Sequence, residues 1–241
     1  MKNKIAILFA GVFLSLLSFT SLSQAQSISA QALSAKQQSI VTIAAFTAKG
    51  DLDNLKTSLN DGLDNGLTVN EIKEVLVQMY AYTGFPRSLN AINTFISVME
   101  EREAKGIHDE LGREANPLPN DKSSIELGAE IQTQLVGAPY KAKFLSFTPA
   151  IDQFLKGHLF GDIFGRDNLD FQSREIATIS ALASMNGVNS QLRSHFNVGF
   201  NVGLTEAQMK SFISVLETRV GKQEADNATA VLNIVISSRT H

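Results

Sequence analysis

The sequence predicts an all-α fold built as a tandem duplication, and three observations carry that expectation. First, a stretch recurs. LKTSLNDGLDNGLT (Leu55 to Thr68) aligns with LRSHFNVGFNVGLT (Leu192 to Thr205), and Leu55/Leu192, Asn60/Asn197, Gly62/Gly199, Gly66/Gly203, Leu67/Leu204 and Thr68/Thr205 match at one offset of 137 residues (192 − 55). The register continues without gaps through Ala44/Ala181, Gly50/Gly187, Lys73/Lys210, Gly84/Gly221, Asn90/Asn227 and Ala91/Ala228. Second, each copy is punctuated by helix starts and stops. Third, no segment shows the alternation of apolar and polar residues that marks a strand.

The elements follow in order. MKNKIAILFAGVFLSLLSFTSLSQAQS places Lys2 and Lys4 ahead of an uncharged run, Ile5 to Leu22, and then Ser23-Gln24-Ala25, with small residues where a signal peptidase cuts. Residues 1–25 are therefore expected to be a secretory signal, and the chain to be exported, periplasmic or secreted. IVTIAAFTA and IATISALAS are apolar runs that stop at Gly50 and Gly187. A second helix runs to Gly66 or Gly203, and Gly-Leu-Thr then turns the chain into a third. Thr68-Val-Asn-Glu71 and Thr205-Glu-Ala-Gln208 fit the capping box, in which a hydroxyl and a later side chain satisfy free N–H groups at a helix start. Ile72, Val75, Leu76 and Met79 form one buried face. Gly84-Phe85-Pro86 breaks that helix, and Leu89, Ile92, Phe95, Ile96 and Met99 mark a fourth. The first unit spans 30–104. A linker, 105–146, is polar from His108 to Ser124 and then turns helical at IELGAEIQTQLVG. The second unit with its lead-in helix, Phe147 to Asp170, occupies 147–241.

Composition narrows the functions. The chain has 241 residues, 44% of them hydrophobic, a formal charge of −3, no cysteine and no tryptophan. A mildly acidic chain has no general attraction for nucleic acid, nor for membrane once the signal is removed. Without cysteine there are no disulfides, redox thiols or thiolate metal sites. The four scattered histidines lack the carboxylate spacing of a metal site. Phosphate-loop, dinucleotide and Gly-x-Ser-x-Gly patterns are absent.

GLTVNEIKEVLVQMYAYTGFPRSLNAI in the first unit, and FLKGHLFGDIFGRDNLDFQSREIATISAL with LRSHFNVGFNVGLT in the second, resemble the carboxymuconolactone decarboxylase family, which includes the alkylhydroperoxidase-like proteins. The resemblance covers most of the chain after the signal. It implies helical units that associate through helix faces into trimers or hexamers with pockets at packed interfaces, and a homo-oligomer, with a trimer favoured, is expected here. The peroxidase branch carries Cys-x-x-Cys four residues before a histidine. Before His195 those positions hold Val188 and Gln191, so no thiol peroxidase cycle can run. The decarboxylase branch works without a cofactor on a small carboxylated lactone or organic acid.

On that resemblance His195 and Glu175 are the expected catalytic pair. Histidine or a carboxyl group suits return of a proton to carbon. Arg166 and Arg174 are the candidates for holding a carboxylate through a planar fork of donors. The first unit has Ser58 and Gln38 where the second has His195 and Glu175. The second has Arg219, Gly221 and Gln223 where the first has Tyr82, Gly84 and Pro86. Each unit keeps what the other lost, which suggests one composite pocket per chain, walled by Gln78 and Tyr82 together with Phe85. Alternatively, His195 is a packed histidine, Arg-Glu a solvated pair at a helix start, and the protein a non-catalytic oligomeric binding or scaffold protein. His158 is expected on a helix surface.

Overall fold

The structure, a computed structural model, describes residues 32–239. The expected signal segment, residues 1–25, lies outside the described residues. Among the described residues there are ten α-helices and two π-helical stretches, and no strand. The first repeat forms α1 (Ala35–Lys49), α2 (Leu52–Asp64) and α3 (Val69–Ala104). Between the repeats lie α4 (Ser124–Val136), α5 (Lys143–Phe147), α6 (Pro149–Gln153) and a π-helical stretch, Phe154–Ile163. The second repeat forms α7 (Phe171–Ala183), α8 (Asn189–Asn201), α9 (Glu206–Val215), a π-helical turn over Leu216–Val220, and α10 (Lys222–Arg239).

The chain is a duplicated helical unit, and the signals that announced it work as physical devices. Thr68 and Thr205 each accept from the backbone three residues on, while Glu71 and Gln208 reach back to the cap. Gly66 and Gly203 sit at φ 87° and 96°, a conformation that glycine adopts without a Cβ penalty. At Gly84 (φ 79°) the third helix of the first repeat kinks, and Pro86 opens its second half. The matching Gly221 is extended at φ 166°, and the second repeat splits there into α9 and α10.

α1 and α7 are related by the repeat and pack on each other. Ser39 to Ala48 and Ser173 to Ala183 are buried without a break, so both helices are enclosed on all sides and form the middle of the described residues. Their hydroxyls are satisfied locally: Thr47 Oγ1 donates to the Ile43 carbonyl at 2.7 Å, and Ser180 Oγ to that of Ile176 at 2.5 Å. Among the described residues the main core draws on both repeats, from Leu33 to Val235. A smaller core joins Ile131 and Leu135 of α4 to Phe160, Ile163, Phe164 and Val198.

The linker is held to the body rather than loose. Val69 and Asn70, at the start of α3, donate their backbone N–H groups to the carbonyls of Glu110 and Leu111 at 3.0 and 2.9 Å. Gly112 packs on the Thr68 cap so tightly that a Cβ there would collide with Thr68 Oγ1. α4 presses on the π-helical stretch at Gly128, where a Cβ would overlap the Lys156 carbonyl oxygen.

Candidate functional site

α7 sets two charged side chains just past its first turn. Asp170 caps the helix, accepting from Ser173 N at 2.7 Å. The next two residues, Arg174 and Glu175, are both fully buried. Neighbours on a helix point about 100° apart, so Arg174 turns toward α3 and Glu175 toward α8.

Toward α3, Arg174 meets a row of residues four apart: Glu74, Gln78 and Tyr82. Its Nη2 donates to Glu74 Oε1 at 2.8 Å and to the Arg166 carbonyl at 2.7 Å, and its Nη1 donates to Gln78 Oε1 at 3.0 Å. Gln78 answers through Nε2, which donates to the Arg174 carbonyl at 2.9 Å and to Thr178 Oγ1 at 3.0 Å. Arg166 adds a second cation, with Nε at 3.1 and 2.9 Å from the two Glu74 oxygens. The Arg174 guanidinium lies 5.7 Å from the centre of the Phe164 ring. Burial lowers the Arg174 pKa, and the Glu74 carboxylate opposes that shift by bonding to it and by charge.

Toward α8, Glu175 Oε2 lies 2.8 Å from His195 Nδ1. The carboxylate is fully buried, while 16% of the imidazole is exposed. Tyr82, from the first repeat, meets His195 edge-on, with ring centres 5.6 Å apart and planes at 79°. Burial, and after it the Glu175 charge, push the Tyr82 phenol well above its ordinary range, so it stays protonated. Glu175 Oε1 is buried without a hydrogen-bond partner among the described residues.

His195, Glu175, Gln78 and Tyr82 are thus brought together from the two repeats. Arg174 joins them, but its surroundings argue against the carboxylate-holding role expected from sequence. Its guanidinium has no exposed surface, and both Nη atoms are committed to Glu74, Gln78 and the Arg166 carbonyl. Its part is to fix α7 against α3 beneath the His195–Glu175 pair. Arg166 keeps 38% of its side chain exposed while pairing with Glu74. His158 lies on the surface with Nδ1 2.9 Å from Asp162, its ring 5.5 Å from that of Tyr80.

Sequence reasoning missed Glu74 and Thr178. Glu74 stands among Glu71, Lys73 and Glu74 and looks like part of a solvated face. The signal was its place four residues before Gln78 and eight before Tyr82. The offset of 137 residues gives Gln37 for Arg174, Ser211 for Glu74, Val215 for Gln78 and Val41 for Thr178. The symmetry-related position therefore lacks the charged network as well as the histidine. Among the described residues no group of three His, Asp or Glu is placed to hold a metal ion. A cleft of about 610 Å³, lined by Lys49, Arg87, Asn189, Glu224 and Asn227 among others, involves none of these site residues.

The arrangement can move a proton. With Nδ1 held by Glu175, Nε2 is the ring nitrogen left for proton exchange, as where a buried carboxylate orients a histidine.

Comparison with known proteins agrees with the duplication and the helical unit. The carboxymuconolactone decarboxylase family profile matches two segments, residues 18–95 and 149–233. The 4-carboxymuconolactone decarboxylase of Acinetobacter baylyi (strain ATCC 33305 / BD413 / ADP1) is 26% identical over 98 residues, a match covering 39% of this chain and 72% of that protein. With two matched segments that together span well over half its length, this chain belongs to the carboxymuconolactone decarboxylase family.

Proposed function

We propose that the protein is an exported, cofactor-independent enzyme of the decarboxylase or isomerase type, acting on a small carboxylated lactone or related organic acid through one composite site per chain. The observation that carries this is the 2.8 Å contact between His195 Nδ1 and the fully buried Glu175, closed on one side by Tyr82 from the other repeat. In a decarboxylation the bond between carbon and carboxylate breaks, carbon dioxide leaves, and the electron pair moves into the lactone carbonyl as an enolate. The protonated His195 then gives the Nε2 proton to a carbon of that enolate, and solvent restores it. Glu175 accepts the Nδ1 hydrogen bond throughout and stabilises the charged ring. Arg166 is the exposed cation nearest in role to a carboxylate holder, and Gln78 keeps α3 and α7 in register beneath the pair.

In this reading copies of the chain assemble, with a trimer favoured, through the second half of α3, where Phe85, Leu89 and Ile96 are exposed. Light scattering should report a multimer that Leu89→Glu with Ile96→Glu reduces to single chains.

A second reading is favoured by the sharing of Glu74 between Arg166 and Arg174, which leaves neither arginine unpaired. It is a binding or scaffold protein without turnover. Incubation with 4-carboxymuconolactone in heavy water separates the two. The enzyme releases carbon dioxide and places a solvent deuteron on a ring carbon of the product. No release at any enzyme concentration favours the binding protein.

A further inference from the structure

A second surface lies apart from the His195 site. Between Tyr140 and Phe154 the chain sets Tyr140, Phe144, Phe147, Ile151 and Phe154 at alternating spacings of four and three, and all five are exposed, Phe147 by 86% and Phe154 by 66%. α5 carries Phe144 and Phe147, one turn apart. α6 and its continuation carry Ile151 and Phe154 in the same way. Leu145 is buried and turns inward between them. Large apolar side chains gathered outward over fifteen residues mark an interaction surface rather than scattered exposure.

Charge says which kind. Residues 139–156 hold Lys141, Lys143 and Lys156 against one acid, Asp152, in a chain whose total charge is −3. Asp152 is taken by Lys156 at 2.7 Å, and Lys141 and Lys143 make no ion pair among the described residues. These lysines line one groove of about 580 Å³ with Tyr140 and Ser146. Phenylalanines and a tyrosine beside unpaired lysines and a hydroxyl-lined groove suit the boundary between lipid headgroups and acyl chains: rings enter the boundary, and ammonium groups meet phosphates. The exposed stripe on α3, Phe85 to Ile96, holds a single cation, Arg87, against three lysines here. No described helix is long and apolar enough to cross a membrane, so the contact is with its surface.

We propose that the α5–α6 segment docks the protein onto anionic membrane surfaces, with Phe144, Phe147 and Phe154 inserted at the headgroup level and Lys141 and Lys143 on lipid phosphates. Net charge alone predicted no affinity for anionic lipid. Attraction at a surface is set locally, within a Debye length, about 8 Å at physiological salt, and this segment carries three lysines against one acid.

The absence of tryptophan makes a clean test possible, using the chain from Gln26 onward, which retains every core residue from Leu33 to Val235 and leaves out the apolar leading segment. Phe147→Trp installs a single indole reporter. Its emission should shift to the blue on adding vesicles of phosphatidylcholine with 30% phosphatidylglycerol, and barely with phosphatidylcholine alone. Lys141→Gln with Lys143→Gln should weaken binding to the anionic vesicles roughly 25-fold, about fivefold for each lysine, and Phe144→Ser with Phe154→Ser should weaken it comparably. Both double variants change exposed side chains and should keep the wild-type melting temperature. The proposal is overturned if the indole emission does not respond to anionic vesicles, or if the lysine variant binds them as well as wild type. It is overturned too if that emission shifts with protein concentration and not with lipid, which would mean that a second copy covers the stripe.

Discussion

His195 has one nitrogen committed to a carboxylate that cannot reach water, and this fixes what each substitution should do. His195→Gln keeps an N–H to offer Glu175, so folding should be nearly untouched. His195→Ala strands a buried carboxylate and should cost roughly 1 to 3 kcal/mol, visible as a lower melting temperature. Nitrogen NMR of the neutral ring should show the proton on Nδ1. In Glu175→Gln the amide can donate to that atom, and the proton should move to Nε2; an unchanged tautomer would mean that the contact does not hold in solution. Glu74 is the other sensitive residue, since two arginines converge on it and Arg174 is wholly buried. Glu74→Ala leaves that charge unpaired and should cost about 3 to 5 kcal/mol in thermal or urea unfolding. The pairing of His195 with Glu175 was legible because each stood at a family position on a helix of known limits. The partner of Arg174 was not, because Glu74 lies 100 residues earlier and only the packing of α7 on α3 joins them.

At the scale of elements, caps and glycine corners could be read directly, because each is a local device that a few residues complete. Gly50, Gly66, Gly187 and Gly203 all take positive φ where the sequence placed a stop or a corner. The close contact of α4 with the π-helical stretch could not be read. A glycine inside a helix leaves no local trace of the backbone that comes near it. Gly128→Ala should therefore destabilise by roughly 1 to 3 kcal/mol, as overpacking does, with the effect concentrated in hydrogen exchange of α4. The linker is tied as well. Asp167 accepts from Asn116 N at 2.9 Å and from Asn116 Nδ2 at 2.7 Å, and its carboxyl is held down to about 2, first by that backbone N–H and then by the Arg113 and Asn116 side chains. Because folding lowers this pKa, the tie is complete above the ordinary carboxylate range, near 4, and is lost as pH falls toward 2. The Asn116 amide resonance should titrate with a midpoint at about 2, and Asp167→Asn should abolish the titration.

For the molecule as a whole, duplication followed by divergence explains why an apparently twofold chain should work as a single site. The repeat was visible as a constant offset, and so was the unequal wear of its halves: Ser58 and Gln38 against His195 and Glu175, Arg219 against Tyr82. What sequence could not show is that the surviving pieces face one another. That depends on α1 and α7 crossing at the centre and carrying the Tyr82 stripe of one half onto the histidine of the other. With Ser211 and Val215 where Glu74 and Gln78 would be needed, the opposite end has neither the network nor the proton donor. The most direct test is turnover of 4-carboxymuconolactone by wild type and His195→Gln at equal folded concentration. One composite site predicts a loss of about 10² to 10⁴ in rate, the usual worth of a general acid or base, with the melting temperature almost unchanged. Retention of half the wild-type rate would reveal a second working site, and an undiminished rate would remove His195 from the chemistry; either result contradicts the account.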